Sequence, residues 1–128
     1  KADEWIKIMH RGEASCFALN ALLEKEFKIA LVIDERTSRM LCEAPYNLQK
    51  LLEKKLHTKI EVDETNLRYF TGFNIIRSAE LCYVAYKKGL VPLPMTQQVL
   101  DALLYATKYK GGCAISSAEI EQAKSLAA

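Results

Sequence analysis

Two acids and two bases follow the most apolar run of the chain. Residues 29–33 are apolar or small, Asp34 and Glu35 end the run, and Arg36 and Arg39 come within the next five positions. Carboxylates at the end of a strand can hold Mg²⁺ or Mn²⁺, because hard dications prefer oxygen ligands. Such a metal activates water and neutralises charge on a phosphodiester, and the two arginines can hold the backbone phosphates beside it.

A third acid, Glu13, opens a predicted helix over residues 13–26, which precedes the apolar strand. That helix is about 21 Å long and the strand about 20 Å, so the helix start and the strand end fall at the same level. We therefore predict that Glu13, Asp34 and Glu35 form a catalytic metal site. A second interpretation stays open, and it is the commoner outcome for an Asp-Glu pair after a strand. In it, Asp34 and Glu35 cap the next helix and the arginines are solvated surface charge.

The elements that would position these residues follow from periodicity and turn signals. Helices are predicted at 13–26, in two pieces within 37–57 divided at Pro45, from a cap at Asn74 to Gly89, at 97–110, and after a capping box of Ser116 and Glu119. Strands are predicted at 29–34, 58–62 and 113–115, and residues 63–72 as a polar turn followed by an extended piece. This alternation predicts a three-layer α/β/α fold with a largely parallel sheet, in which ligands bind beyond the carboxyl ends of the strands.

The length, net charge and apolar runs of the chain exclude some classes of function. A chain of 128 residues fits one domain, and a net charge of +2 provides no global field for nucleic acid or anionic membranes. No apolar run reaches the roughly 18 residues of a membrane span, so we expect a cytoplasmic protein without a membrane partner. The four cysteines have no metal-ligand spacing and are predicted to be core residues, at positions Cys16, Cys42, Cys82 and Cys113.

Three segments together resemble the later two thirds of a PIN domain. They are GEASCFALNALLEKEFKIALVIDERTSR at residues 12–39, NIIRSAELCYVAYKKGLV at 74–91 and VLDALLYATKYKGGCAIS at 99–116. More narrowly, the chain is similar to archaeal and bacterial PIN nucleases related to VapC toxins. In that branch a Gly-Glu-Ala opening, a helix of small residues, an apolar strand and an Asp-Asp-Arg or Asp-Glu-Arg turn follow one another at this distance.

The resemblance implies a single PIN-like domain that uses Mg²⁺ or Mn²⁺ to cleave RNA, in some cases as the toxin of a toxin–antitoxin pair with an antitoxin protein as partner. Glu13 matches the acid at the start of the family's central helix, and Asp34 matches the acid that closes the following strand. Glu35 occupies the adjacent acidic position. Arg36 matches its basic companion and, with Arg39, is expected on RNA.

The chain departs from the family in two places. The family's first strand, which carries an essential aspartate, has no counterpart after Lys1, and we therefore expect an incomplete N-terminus. Residues 45–73 are longer than expected and are predicted to be an added helix and hairpin. This segment either pairs with a partner protein or with a second copy in a homodimer, or it is a surface elaboration without a function. The alternative function is a non-catalytic PIN-like module that binds protein or RNA.

Four tyrosines lie at helical spacing in the second half of the chain. Tyr83 and Tyr86 are three positions apart, and Tyr105 and Tyr109 are four apart. Such stripes are more often part of a core or a dimer interface, although tyrosine rings can also stack on unpaired bases.

Overall fold

The chain divides into two compact units, Lys1–Ile75 and Ile76–Ala128. The computed structural model describes residues 4–128. Each unit has its own buried cluster of apolar side chains.

The first unit begins with helix α1, Arg11–Leu23, and the short strand β1, Leu31–Val32. Helices α2, Arg36–Glu43, and α3, Pro45–Leu56, follow, with Pro45 at the first position of α3, where its missing N–H costs no hydrogen bond. Helix α4, Glu64–Leu67, runs into a 3₁₀ turn at Arg68–Phe70, and strand β2, Ile75–Ile76, ends the unit.

Aromatic packing holds α1 against β1. Phe17 of α1 is buried with Leu31 and Ile33, which flank the exposed Val32 in an in-out-in pattern. The Phe17 ring meets Phe73 edge to face at a centroid distance of 4.9 Å. Edge-to-face rings at this distance add about 0.5–1.5 kcal/mol to the burial of their apolar area.

The second unit contains three helices, α5 at Ser78–Lys87, α6 at Gln97–Tyr109 and α7 at Ser117–Ala127. Its core is built from fully buried side chains of α6 and α7, Leu100, Leu104 and Ile120, which are at most 1% exposed. Burying each of these aliphatic side chains contributes about 1.5–3 kcal/mol.

The prediction of a three-layer α/β/α, PIN-like fold with a largely parallel sheet is wrong. Residues 4–128 form seven α-helices, with 59% of the chain helical, and one parallel sheet of two strands. β1 pairs with β2, where the Leu31 N–H donates to the Asn74 carbonyl at 2.7 Å. The apolar run at residues 29–34 predicted a longer strand than the two residues that pair.

In two segments that were predicted to be strands, the backbone N–H and carbonyl groups form hydrogen bonds with other parts of the chain. At residues 58–62 the Ile60 N–H donates to Glu53 Oε1 and its carbonyl accepts from Gln49 Nε2, both from α3. At residues 113–115 the Cys113 N–H donates to the Thr107 carbonyl, and the Ala114 carbonyl accepts from Arg77 Nη1. Backbone groups paired in this way have no need of a neighbouring strand, and both strand predictions are wrong.

Two further boundaries differ from the sequence prediction. Asp63 caps α4 by accepting from the Thr65 and Asn66 N–H groups, so residues 64–70 are helical where a turn and an extended piece were predicted. Residues 58–70 therefore contain no hairpin, and α3 is the helix predicted for the added segment. Asn74 does not cap α5, which starts at Ser78 after β2.

The strongly periodic helices are confirmed. α1, α2, α3, α5, α6 and α7 lie where the apolar spacing predicted helices, within a few residues at each end. Gly89 has φ +65° just after α5, as a left-handed stop requires, and the Ser116–Glu119 capping box opens α7. Across residues 4–128, no helix combines the length and the apolar character needed to cross a membrane.

Candidate functional site

The candidate site is the start of α2, where the chain leaves β1. We call Asp34, Glu35, Arg36, Ser38 and Arg39 the α2 edge. Ile33 is buried and anchors the strand, Asp34 is half-buried, and Glu35 and Arg36 are exposed. The change from an apolar strand to a capped helix therefore brings both acids and both arginines into one turn of backbone.

Glu35 is the N-cap of α2. Its Oε1 accepts from the Thr37 N–H at 2.9 Å and its Oε2 accepts from the Ser38 N–H at 2.6 Å. Burial by itself raises the pKa of this carboxyl group, but the bonds from Ser38 and Thr37 outweigh it and hold the pKa below its ordinary value. Glu35 is therefore ionised at neutral pH and stabilises the helix end. This is the capping interpretation of the sequence, with the cap at Glu35.

One buried atom of the α2 edge, the Nε of the half-buried Arg39, has no hydrogen-bond partner within residues 4–128. The hydroxyl of Ser38, a residue with no exposed surface, interacts with the Glu35 carboxylate and helps to hold its pKa low. A buried polar group without a partner costs about 1–3 kcal/mol. Such groups are rare in folded proteins, and a bound ion or ligand is one of the usual reasons for them.

Glu13 also caps a helix. Its Oε2 accepts from the His10 N–H at 2.8 Å, just before α1 begins, and its side chain is half-buried. The helix that was predicted to begin at Glu13 begins two residues earlier, at Arg11, so Glu13 lies in its first turn and is not its first residue. The sequence could have indicated this role, because an acid in the first turn commonly reaches back to the N-cap N–H.

The sequence predicted a metal site made of three carboxylates. Within residues 4–128, no group of three or more His, Cys, Asp or Glu side chains is placed to hold a metal ion. Mg²⁺, however, is usually held by one or two carboxylates, with waters and substrate phosphates as its other ligands. The roles of Glu13, Asp34 and Glu35 as metal ligands stay predictions.

The sequence did not predict an ionic cluster that lies in the second unit. The largely buried Arg77 donates to Glu80 at 2.8 Å and to Glu119 at 2.9 Å, and so joins the first turns of α5 and α7. It borders a cavity of about 400 Å³ that is also lined by Tyr83 and Leu104. Only the Glu residues three positions after each helix N-cap gave a signal in the sequence.

The cysteines differ from one another in burial. Cys113 is buried as predicted, Cys42 and Cys82 are half-buried, and the prediction is wrong for Cys16, which is exposed. Burial, with a smaller effect of Glu43, raises the pKa of the Cys42 thiol to about 11. Cys42 is therefore a protonated packing residue at neutral pH and not a nucleophile.

No protein-family model, no curated protein and no solved structure matches the chain.

Proposed function

We propose that the α2 edge is the phosphate- and metal-contacting part of a ribonuclease centre. RNA as the substrate, the PIN type of activity and an antitoxin as partner come from the sequence resemblance alone. The cytoplasmic location is proposed from the apolar runs of the sequence, and the second copy as partner from the length of residues 45–73. What supports the proposal in the molecule is the chemical character of the α2 edge.

The carrying observation is that an unpartnered buried arginine nitrogen lies close in the chain to two carboxylates. Arg39 Nε lacks a hydrogen-bond partner among the described residues, and Asp34 and Glu35 lie five and four positions before it. A phosphate alone would be repelled by the acids, and a metal ion alone would leave the Arg39 donor unused. A phosphodiester together with a divalent cation satisfies both, because the arginine donates to the phosphate and the carboxylate contacts the cation.

The residues of the α2 edge have distinct parts in this proposal. Asp34, which follows the buried end of β1, is the principal carboxylate toward Mg²⁺ or Mn²⁺, and Glu13 is a second candidate ligand. Arg36 and Arg39 bind the backbone phosphates of RNA. A divalent cation bound there would neutralise charge on the phosphodiester and lower the pKa of a bound water.

A second candidate function is RNA binding without cleavage. It is favoured by the helix caps, since both oxygens of Glu35 and one oxygen of Glu13 already accept backbone N–H groups. In this case the α2 edge binds RNA phosphates through Arg36 and Arg39 alone. Binding then needs no divalent cation.

The test is RNA cleavage by the full chain with Mn²⁺ or Mg²⁺. We expect metal-dependent cleavage of single-stranded RNA, and we expect Asp34→Asn to reduce its rate at least about a hundredfold, because catalytic metal stabilisation is worth several kcal/mol. The matched control is Asp63→Asn, which changes the same residue type in the same unit. Asp63 caps α4, and asparagine caps a helix as well as aspartate, so this variant should keep full activity.

The two candidate functions give different results. Cleavage that survives Asp34→Asn would refute the assigned role of Asp34. RNA binding that is equal with Mn²⁺ and with EDTA, and is not followed by cleavage, would refute the nuclease and support the binding module.

A further inference from the structure

Tyr105 and Tyr109, near the end of α6, form a stacked pair of rings. Their planes are within 10° of parallel and their centroids are 6.0 Å apart. Tyr105 is half-buried and supports Tyr109, whose side chain is 69% exposed. Of the other two tyrosines of the stripe, Tyr86 is buried in the core and Tyr83 is half-buried. The four tyrosines have similar helical spacing in the sequence, but in the structure Tyr109 is the exposed one among them.

The ammonium group of Lys108 lies close to both tyrosine rings. Lys108 Nζ is 5.3 Å from the centroid of Tyr109 and 6.0 Å from that of Tyr105, within cation–π range. The same ammonium group donates to Ser117 Oγ at 2.9 Å, and this bond ties it to the first residue of α7. Exposed Lys110 follows Tyr109 directly. An aromatic face and two positive charges thus lie within six consecutive residues at the end of α6.

The charge of the second unit is also unbalanced. Residues 76–128 contain six of the 18 basic and four of the 16 acidic residues, so the net charge of +2 arises entirely there. All four of these carboxylates are in salt bridges with Arg77 or Lys124. Within the described residues, this leaves four lysines without a carboxylate partner, namely Lys87, Lys88, Lys108 and Lys110.

We propose that Tyr105, Tyr109, Lys108 and Lys110 form a binding site for single-stranded nucleic acid. A base stacks on the outer face of Tyr109, which Tyr105 holds from behind, and the adjacent phosphates contact Lys108 and Lys110. Every base has a π-face, so the site is tolerant of sequence. The positive charge favours this ligand over a second protein surface, because the charged residues here are the ones that protein interfaces tend to exclude from their centres.

This inference concerns a different part of the chain from the α2 edge and does not rest on the ribonuclease proposal. It is therefore tested with EDTA present, where no divalent cation contributes. The measurement is the fluorescence anisotropy of a labelled single-stranded uridine oligonucleotide titrated with the full chain at several KCl concentrations.

Tyr109→Ala should weaken binding roughly 5- to 150-fold, the range for loss of one base–aromatic stack. Tyr109→Phe should bind like the parent, since stacking needs the ring and not the hydroxyl. The matched control is Tyr69→Ala in the first unit. Tyr69 is 63% exposed and has the Arg68 guanidinium 5.1 Å from its ring centroid, but it has no stacked partner ring among the described residues. This variant should keep the parent affinity.

Substitution of a lysine should change how strongly the binding affinity depends on salt concentration. Lys110→Gln should reduce the slope of log K against log salt by about 0.7, the value per phosphate contact on a single strand. Tyr109→Ala should leave that slope unchanged. Lysines near a helix end also complement its dipole, and the slope separates this structural effect from phosphate contact.

Three results would overturn the proposal. One is binding by Tyr109→Ala that equals the parent. Another is duplex RNA binding at least as tightly as the single strand, because a duplex offers phosphates but no free base face. The third is self-association of the parent chain in sedimentation that Tyr109→Ala abolishes, because the tyrosines would then form a protein interface.

Discussion

Replacing Glu119 by glutamine should destabilise the second unit at neutral pH and have much less effect in acid. The pKa of Glu119 is lowered from 4.5 to about 2, first by hydrogen bonds from Ser116 and then by Arg77. A carboxyl group whose pKa is lower in the folded state stabilises the fold above its unfolded pKa. That stabilisation is lost as the pH falls through 4.5 toward 2.

The magnitude follows from the difference between the two pKa values. A fall from 4.5 to about 2 corresponds to about 3 kcal/mol at full strength. The Glu119 side chain is 44% exposed, and solvent screening reduces such energies strongly, so we expect a loss of about 1 kcal/mol in Glu119→Gln at pH 7. By pH 3 roughly half of the difference from the parent should be gone.

The assay is urea unfolding of the parent and the variant, followed by far-ultraviolet circular dichroism at pH 7, 5 and 3. Glu121→Gln is the control, because Glu121 lies on the same helix and is 61% exposed in its bond to Lys124. An exposed pair of this kind contributes little, and the control should unfold like the parent. A Glu119→Gln effect that is absent at pH 7, or equally large at pH 3, would refute the account of the Arg77 cluster.

Two further predictions concern the helix cap and the core. Glu35→Ala should destabilise the first unit by about 0.5–2 kcal/mol through loss of the α2 cap, whereas Glu43→Ala at the other end of α2 should cause no loss, as measured by thermal unfolding. Leu100→Ala, at a site with 0% exposure, should cost about 2–5 kcal/mol, and Leu90→Ala, at 71% exposure, should stay within about 0.5 kcal/mol. Similar midpoints for Leu100→Ala and Leu90→Ala would contradict the core described for residues 76–128.

Helices were predictable because their signals are local. The apolar spacing of α6, Pro45 at the start of α3, and the Ser116–Glu119 box each lie within a few residues of the structure they specify. Strands were not predictable in the same way, because pairing depends on residues distant in the chain. Residues 58–62 have a strand-like composition, yet Gln49 and Glu53 of α3 occupy the Ile60 backbone groups.

The candidate site shows the same division. The sequence by itself placed Asp34, Glu35 and the arginines together, because they adjoin one another in the chain. Only the tertiary structure decided that Glu35 caps α2, that Arg39 Nε is buried without a partner among residues 4–128, and that Tyr109 is exposed while Tyr86 is buried. Adjacency in the chain is written in the sequence, whereas burial depends on which distant side chains pack against a residue.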